Sequence, residues 1–232
     1  MADEGFLLME SAVSGDVAST MSARIERAIR KDILSGAIAP GDRLRVAELS
    51  TRYGVSHMPV RDALRQLEGD RLVIIESHKG AVLRGVNRKF VEDMHDTRQA
   101  IETLLVRNAT VKAALSDLVR LEHLAREYEL AAKLEDQPAM VEANLRLHRF
   151  IAVLGDNPEA ANILDRGWEL VIAIRNRFGF GENRIADIVS QHRALVSAMK
   201  ARDVPGALEA ARLHCESAKN DLLSRMAEDS AA

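Results

Sequence analysis

Four residues in the second half of the chain are of types that can hold a metal ion. Asn144 and His148 stand four apart, so on a helix both side chains leave one face and can share one ion. His192 and His214 each fall in a separate later helical pattern. Taken singly, each histidine has a plainer reading: His148 precedes Arg149-Phe150 and suits a core histidine satisfied by a hydrogen bond, while His192 and His214 suit ordinary surface positions. Earlier in the same half, Arg98 and Glu102 are also four apart. That spacing serves an intrahelical ion pair worth about 0.3 to 0.5 kcal/mol, or a guanidinium presented to a ligand carboxylate. Arg175 is a weaker candidate for the same task, and His95 has no motif behind it.

A second group belongs to a different chemistry. Between Val46 and Leu67 two short helical patterns meet at Gly54, where a residue without a Cβ can take positive φ, and Val55 can fill the angle between them. Ser56 stands at an N-cap position, Pro59 falls in the first turn, and Val60, Ala63, Leu64 and Leu67 repeat as a buried face. His57, Arg61 and Arg65 are left on the opposite face. A short helix with a basic, polar leading end suits the reading of base edges in a major groove.

The elements that must position these groups follow from the flanking sequence. Met21 to Leu34 carries Ile25, Ile29 and Ile33 at helical spacing and stops at Ser35-Gly36; Pro40-Gly41-Asp42 makes a turn, and Arg43, Leu44 and Arg45 lead into the helix pair. After it, Leu72 to Glu76 reads as a strand, Ser77 to Gly80 as a turn and Ala81 to Leu83 as the returning strand. Three helices and a basic-tipped hairpin make a winged helix-turn-helix. From Asn87 the strand signal disappears, and six helical patterns follow: Lys89–Leu115, Leu118–Leu134, Pro138–Leu154, Pro158–Phe178, Arg184–Lys200, and Pro205 to about Met226. The fold class is mainly α, a winged helix-turn-helix followed by an all-α six-helix bundle. Residues 1–19 read as a mobile tail, 20–86 as the winged domain and 87–232 as the bundle.

Charge is distributed accordingly. The chain of 232 residues has a formal net charge of -3. Residues 1–19 hold four acids and no base, 20–86 hold 12 Lys+Arg against 8 Asp+Glu, and 87–232 hold 20 against 23. Only the middle segment offers a polyanion somewhere to dock, although solvated helix faces would give the same excess. No apolar run approaches the roughly 18 residues that span a bilayer, and the N-terminal segment is acidic where a secretory signal is basic, so the cytoplasm is the expected compartment. Cys215, the sole cysteine, excludes an internal disulfide and suits a small buried hydrophobe.

The runs Ile33-Leu34-Ser35-Gly36, Pro40-Gly41-Asp42-Arg43-Leu44, Gly54-Val55-Ser56, Pro59-Val60-Arg61-Asp62-Ala63-Leu64 and Lys79-Gly80-Ala81 resemble the GntR family of bacterial transcription regulators. His57 and Met58 depart from that family's usual basic residue and threonine. The resemblance implies operator contact by Arg61, with His57, Met58, Arg65, Ser56, Arg43, Arg45 and the wing residues His78, Lys79 and Gly80 beside it. The bundle is similar to the FCD subgroup, in which an Asp or Asn, a His four residues on and a His from each of two later helices hold a divalent metal. That assigns Asn144, His148, His192 and His214 as ligands, and three imidazoles favour zinc or nickel over magnesium or calcium. Asp96-Thr97-Arg98 resembles the subgroup's cavity arginine, which places Arg98, Glu102 and Arg175 at an effector site beside the metal.

The resemblance therefore implies a homodimeric repressor that binds double-stranded operator DNA and senses a small organic acid, with a hinge around Gly85 to Arg88. Two rival readings are a metal-dependent hydrolase and a bundle serving only as a dimerisation scaffold. The first lacks an acid at a general-base spacing such as that of H-E-x-x-H, and the chain is expected not to be an enzyme.

Overall fold

A computed structural model describes residues 20–76, 80–165 and 168–231. The chain divides into two compact units, one up to Arg84 and one from Gly85, apart from Leu34–Gly36, which group with the second.

The first unit is a winged helix-turn-helix. Helix α1 (Met21–Leu34) buries Ile25, Ile29 and Ile33, and α2 (Val46–Tyr53) and α3 (His57–Gly69) form the pair. Gly54 takes φ 65° between them, as the turn requires, and its N–H donates to the carbonyls of Ser50 and Thr51. Ser56 holds the extended N-cap backbone, but its hydroxyl makes no capping hydrogen bond. The apolar side of α3 is Val60, Ala63, Leu64 and Leu67, and Tyr53 donates to Asp32 at 2.6 Å, fastening α2 to α1. The hairpin strands are β2 (Val73–Glu76) and β3 (Gly80–Leu83). A third strand, β1 (Arg43–Leu44), pairs antiparallel with β3, Arg43 opposite Val82, giving the order β1-β3-β2. Two residues are too few for a period of two to register, so the sequence offered only a lead-in segment there.

The second unit contains α4 (Arg88–Lys112), α5 (Leu115–Lys133), α6 (Gln137–Leu154), α7 (Pro158–Asp165), α8 (Trp168–Phe178), α9 (Arg184–Lys200) and α10 (Val204–Ala231). Asn87 caps α4 by accepting from the Phe90 N–H at 2.8 Å, and Asp136 caps α6 through Ala139 at 3.0 Å. The pattern expected as one helix, Pro158–Phe178, is described as α7 and α8 on either side of residues 166–167. Helix α4 ends at Lys112 rather than running to Leu115, with Ala113 and Ala114 extended. No glycine or proline marks that break. The guanidinium of Arg202 takes up the freed carbonyls of Thr110, at 2.7 Å, and Ala113, which is a tertiary cause invisible in the local sequence.

At one end of this unit the core is apolar: Val106 and Ala109 of α4, Leu118 and Leu121 of α5, Leu147 and Ile151 of α6, Leu195 and Met199 of α9, and Ala207 and Ala211 of α10. Each fully buried leucine contributes about 1.5 to 3 kcal/mol. Further along the same helices the interior becomes polar, with His95, Glu102, Arg184, His192 and His214 all buried. No helix among the described residues is long and apolar enough to cross a membrane.

Candidate functional site

The exposed side of α3 carries His57, Met58, Arg61 and Arg65, all open to solvent, with Met58 64% exposed. An apolar side chain that open on a basic helix end is available to a thymine methyl group. Arg61 makes no ion pair among the described residues. Arg65 lies 3.9 Å from Asp62, too far to hold it, and Arg45 pairs with Glu48 at 2.6 Å on the open surface. Arg43, Ser56 and Gly80 are exposed as well. His78 and Lys79 lie outside the described residues, as does the segment 1–19.

In the second unit, α6, α9 and α10 bring His148, His192 and His214 together. Their ligand atoms all lie within 4.8 Å of one another, and the rings are 4.9 to 5.5 Å apart. Burial, the largest influence, holds all three imidazoles below the ordinary histidine range, His192 and His214 well below it. They are therefore neutral at pH 7, the form with a lone pair to give. The Nε2 of His148 and both ring nitrogens of His192 are buried without a hydrogen-bond partner among the described residues. Orphaned, neutral imidazole nitrogens gathered within 4.8 Å of one another are what a divalent metal would satisfy, and the donor set suits zinc or nickel. The Nδ1 of His214 lies 3.1 Å from the Oε1 of Gln191. That oxygen can only accept, so the proton sits on Nδ1 and the Nε2 lone pair is left for the centre.

A cavity of about 100 Å³ adjoins the cluster, lined by His148 and His214 and by Asn144, which is half-buried. Arg98, Glu102 and Arg175 also line it, so the structure brings every expected metal and effector residue except His192 into one wall. His192 joins by ring contact. Both readings of the Arg98–Glu102 spacing hold at once: the two pair at 2.5 Å, and the pair is buried at the cavity. Glu102 also accepts from the Cys215 thiol at 3.1 Å and faces the Nδ1 of His148 at 3.8 Å. Burial pushes its carboxyl up, but the Arg98 guanidinium and the hydrogen bonds from Cys215 and Arg98 outweigh burial and keep it ionised. Its oxygens are thus already engaged, which makes Glu102 a support for His148 more than a seat for a ligand. Arg175 is similarly committed, donating to Asp221, to the Gly179 carbonyl at 2.9 Å and to the Ala218 carbonyl at 3.1 Å. Cys215 is buried as expected, and burial and Glu102 keep it a thiol.

The sequence reading missed Gln191, Arg184 and Tyr128. Arg184 had one available signal, since a cation at the first position of a helix opposes the helix dipole and needs a reason to be there. Tyr128 packs its ring edge-on to His192 with centroids 4.9 Å apart, a placement no local pattern announces.

Comparison with known proteins agrees with this architecture. A family model described as FCD domain matches residues 93–228, and one described as bacterial regulatory proteins, gntR family, matches residues 21–83. The HTH-type transcriptional repressor RspR of Escherichia coli (strain K12) is 26% identical over 183 residues, 79% of this chain and 80% of that protein. The galactonate operon transcriptional repressor of the same organism is 25% identical over 209 residues, 81% and 90% of the two chains. Among solved structures, E. coli McbR/YncC superposes with a TM-score of 0.72 at 19% identity, over 90% of this chain and 99% of that one, a likeness of fold.

Proposed function

Since the chain belongs to the gntR family of bacterial regulatory proteins and carries an FCD domain, we propose that it is a homodimeric repressor whose grip on operator DNA is set by a small organic acid bound beside a metal ion. That it is a DNA-binding transcription regulator, and not an enzyme, follows from the family and from relatives named as repressors. The observation that carries the sensing half is the meeting of His148, His192 and His214, with orphaned nitrogens, at the wall of a cavity that holds buried arginines.

Asn144, His148, His192 and His214 would hold the ion, which supplies a Lewis-acidic seat for one carboxylate oxygen of the effector. Arg98 faces that seat from α4, kept in place by Glu102. In the other unit, Arg61, His57, Met58 and Arg65 would meet base edges, while Arg43, Arg45, Ser56, Gly80, His78 and Lys79 would flank them on phosphates. Two-fold symmetry would match a palindromic site. Effector and operator then change each other's affinity by one common factor, typically about 1 to 3 kcal/mol.

Metal analysis of protein purified without a histidine tag tests the sensing half. Near-stoichiometric zinc or nickel is expected in the parent, and loss of it in the His148→Ala, His214→Ala double variant; equal metal content in both would overturn the metal reading. For the DNA half, Arg61→Ala should bind a selected operator about 10- to 100-fold more weakly at fixed salt, and unchanged affinity would remove Arg61 from the interface.

A further inference from the structure

The charges around the cavity do not cancel. Two of its three arginines have a carboxylate: Arg98 has Glu102, and Arg175 has Asp221. Arg184 has none among the described residues, although it is only 4% exposed and lines the same cavity. Its Nη1 donates to Gln191 at 3.0 Å and its Nη2 reaches the His214 carbonyl at 3.5 Å, both neutral acceptors. Its Nε–H has no hydrogen-bond partner among the described residues. A second orphan lies in the same wall, the hydroxyl of Tyr128, which is 2% exposed. A buried guanidinium without a carboxylate in ion-pair contact and a buried hydroxyl without a bond are both costly to keep. A divalent metal on the neutral histidines adds positive charge to this cavity and deepens the imbalance. An anionic oxygen corrects it.

We infer that Arg184 and Tyr128 form the seat for an oxyanion of the effector, the Arg184 Nε–H and the Tyr128 O–H donating to its oxygen, and that the ligand is a short carboxylic acid of about two to four carbons. The inference rests on the sensing reading above and deepens it. The size follows from the volume: the cavity measures about 100 Å³, smaller than the roughly 150 Å³ that receives a benzene ring. The seat is one residue removed from the metal ligands, because the Gln191 oxygen that receives Arg184 also receives the Nδ1–H of His214. An anion drawing on Arg184 therefore acts on the group that fixes the orientation of His214. That is a physical route by which an effector is felt at the ion.

The test uses the full chain loaded with zinc, and its probes are malonate, succinate, L-lactate and, as an oversized acid, galactonate. Calorimetric titration should give binding for at least one short acid and none for galactonate. Tyr128→Phe and Arg184→Lys should each raise the Kd of that acid by about tenfold or more, with zinc content measured beforehand and unchanged. Tyr128→Phe keeps the ring against His192 and so keeps the fold even where changes at Arg184 disturb it. Unchanged Kd in both variants overturns the seat, equal binding of galactonate overturns the size limit, and no binding of any short acid overturns both. A parent that holds no zinc fails the sensing reading instead, and does so before any acid is added.

Discussion

Replacing Glu102 by glutamine keeps the shape of the side chain and removes its charge, with two separable consequences. Arg98 loses the carboxylate it meets at 2.5 Å, and both side chains are buried, at 13% and 8% exposure. Removing one member of a buried pair typically costs 3 to 5 kcal/mol, and the residual exposure of Arg98 argues for the lower end, about 3 kcal/mol. For a chain of this size that lowers the melting temperature by about 6 to 12 °C. The second consequence concerns His148, whose Nδ1 faces the carboxylate at 3.8 Å. Without it the imidazole is a poorer base in a less fixed orientation, and zinc should bind about 10- to 100-fold more weakly. The double variant Arg98→Met, Glu102→Gln separates the two: thermal unfolding should return toward the parent, since both charges are gone, while competitive zinc titration stays weak. A single variant melting within about 2 °C of the parent would refute the buried-pair estimate. A double variant that binds zinc as the parent does would refute the support of His148.

Three further outcomes can be checked. Burial, assisted by Arg98 and Arg175, pushes the His95 imidazole down from 6.5 to about 4. The unfolded chain takes up a proton near 6.5 that the folded chain refuses, so this stabilisation is complete above that pH and is lost on acidification from 6.5 toward 4, by up to about 3 kcal/mol. Urea unfolding at pH 7.5 and 5 should show a shallower pH dependence in His95→Gln than in the parent. Gly155→Ala should destabilise by about 1 to 3 kcal/mol in the same assay, because a Cβ there would stand 2.8 Å from the Leu105 Cδ2 and 2.9 Å from its carbonyl oxygen. Arg43→Ala should weaken operator binding across all sequences and reduce the slope of log affinity against log salt by about one, and an unchanged slope would remove it from the phosphate contacts.

What could be read from the sequence was what repeats locally. Ile25, Ile29 and Ile33 announce their helix, Gly54 its turn, and Asn144 with His148 a shared face, because each signal lies within one or two turns of chain. The meeting of His148, His192 and His214 across three helices was accessible only by resemblance, since spacing along the chain does not say which faces turn inward. Arg184, Gln191 and Tyr128 were not legible for the same reason. Their role depends on what a distant segment leaves unpaired. The early end of α4 belongs with these cases, since it is an arginine some ninety residues away that donates to its last carbonyls.

The short β1 ladder has a bearing on how the reading head docks. Arg43 lies opposite Val82, and the Gly41 N–H and the Asp42 carbonyl exchange 2.9 Å bonds with Leu83. The arm bearing this arginine is thereby laced into the returning strand of the wing and moves with it as one claw. Its backbone freedom, about 1 to 2 kcal/mol per residue, is surrendered once, when the protein folds, and not again at each landing on a duplex. An arm arriving already shaped would leave the full attraction of its guanidinium for a phosphate, and trimming the β1 pairing should loosen wing and arm together.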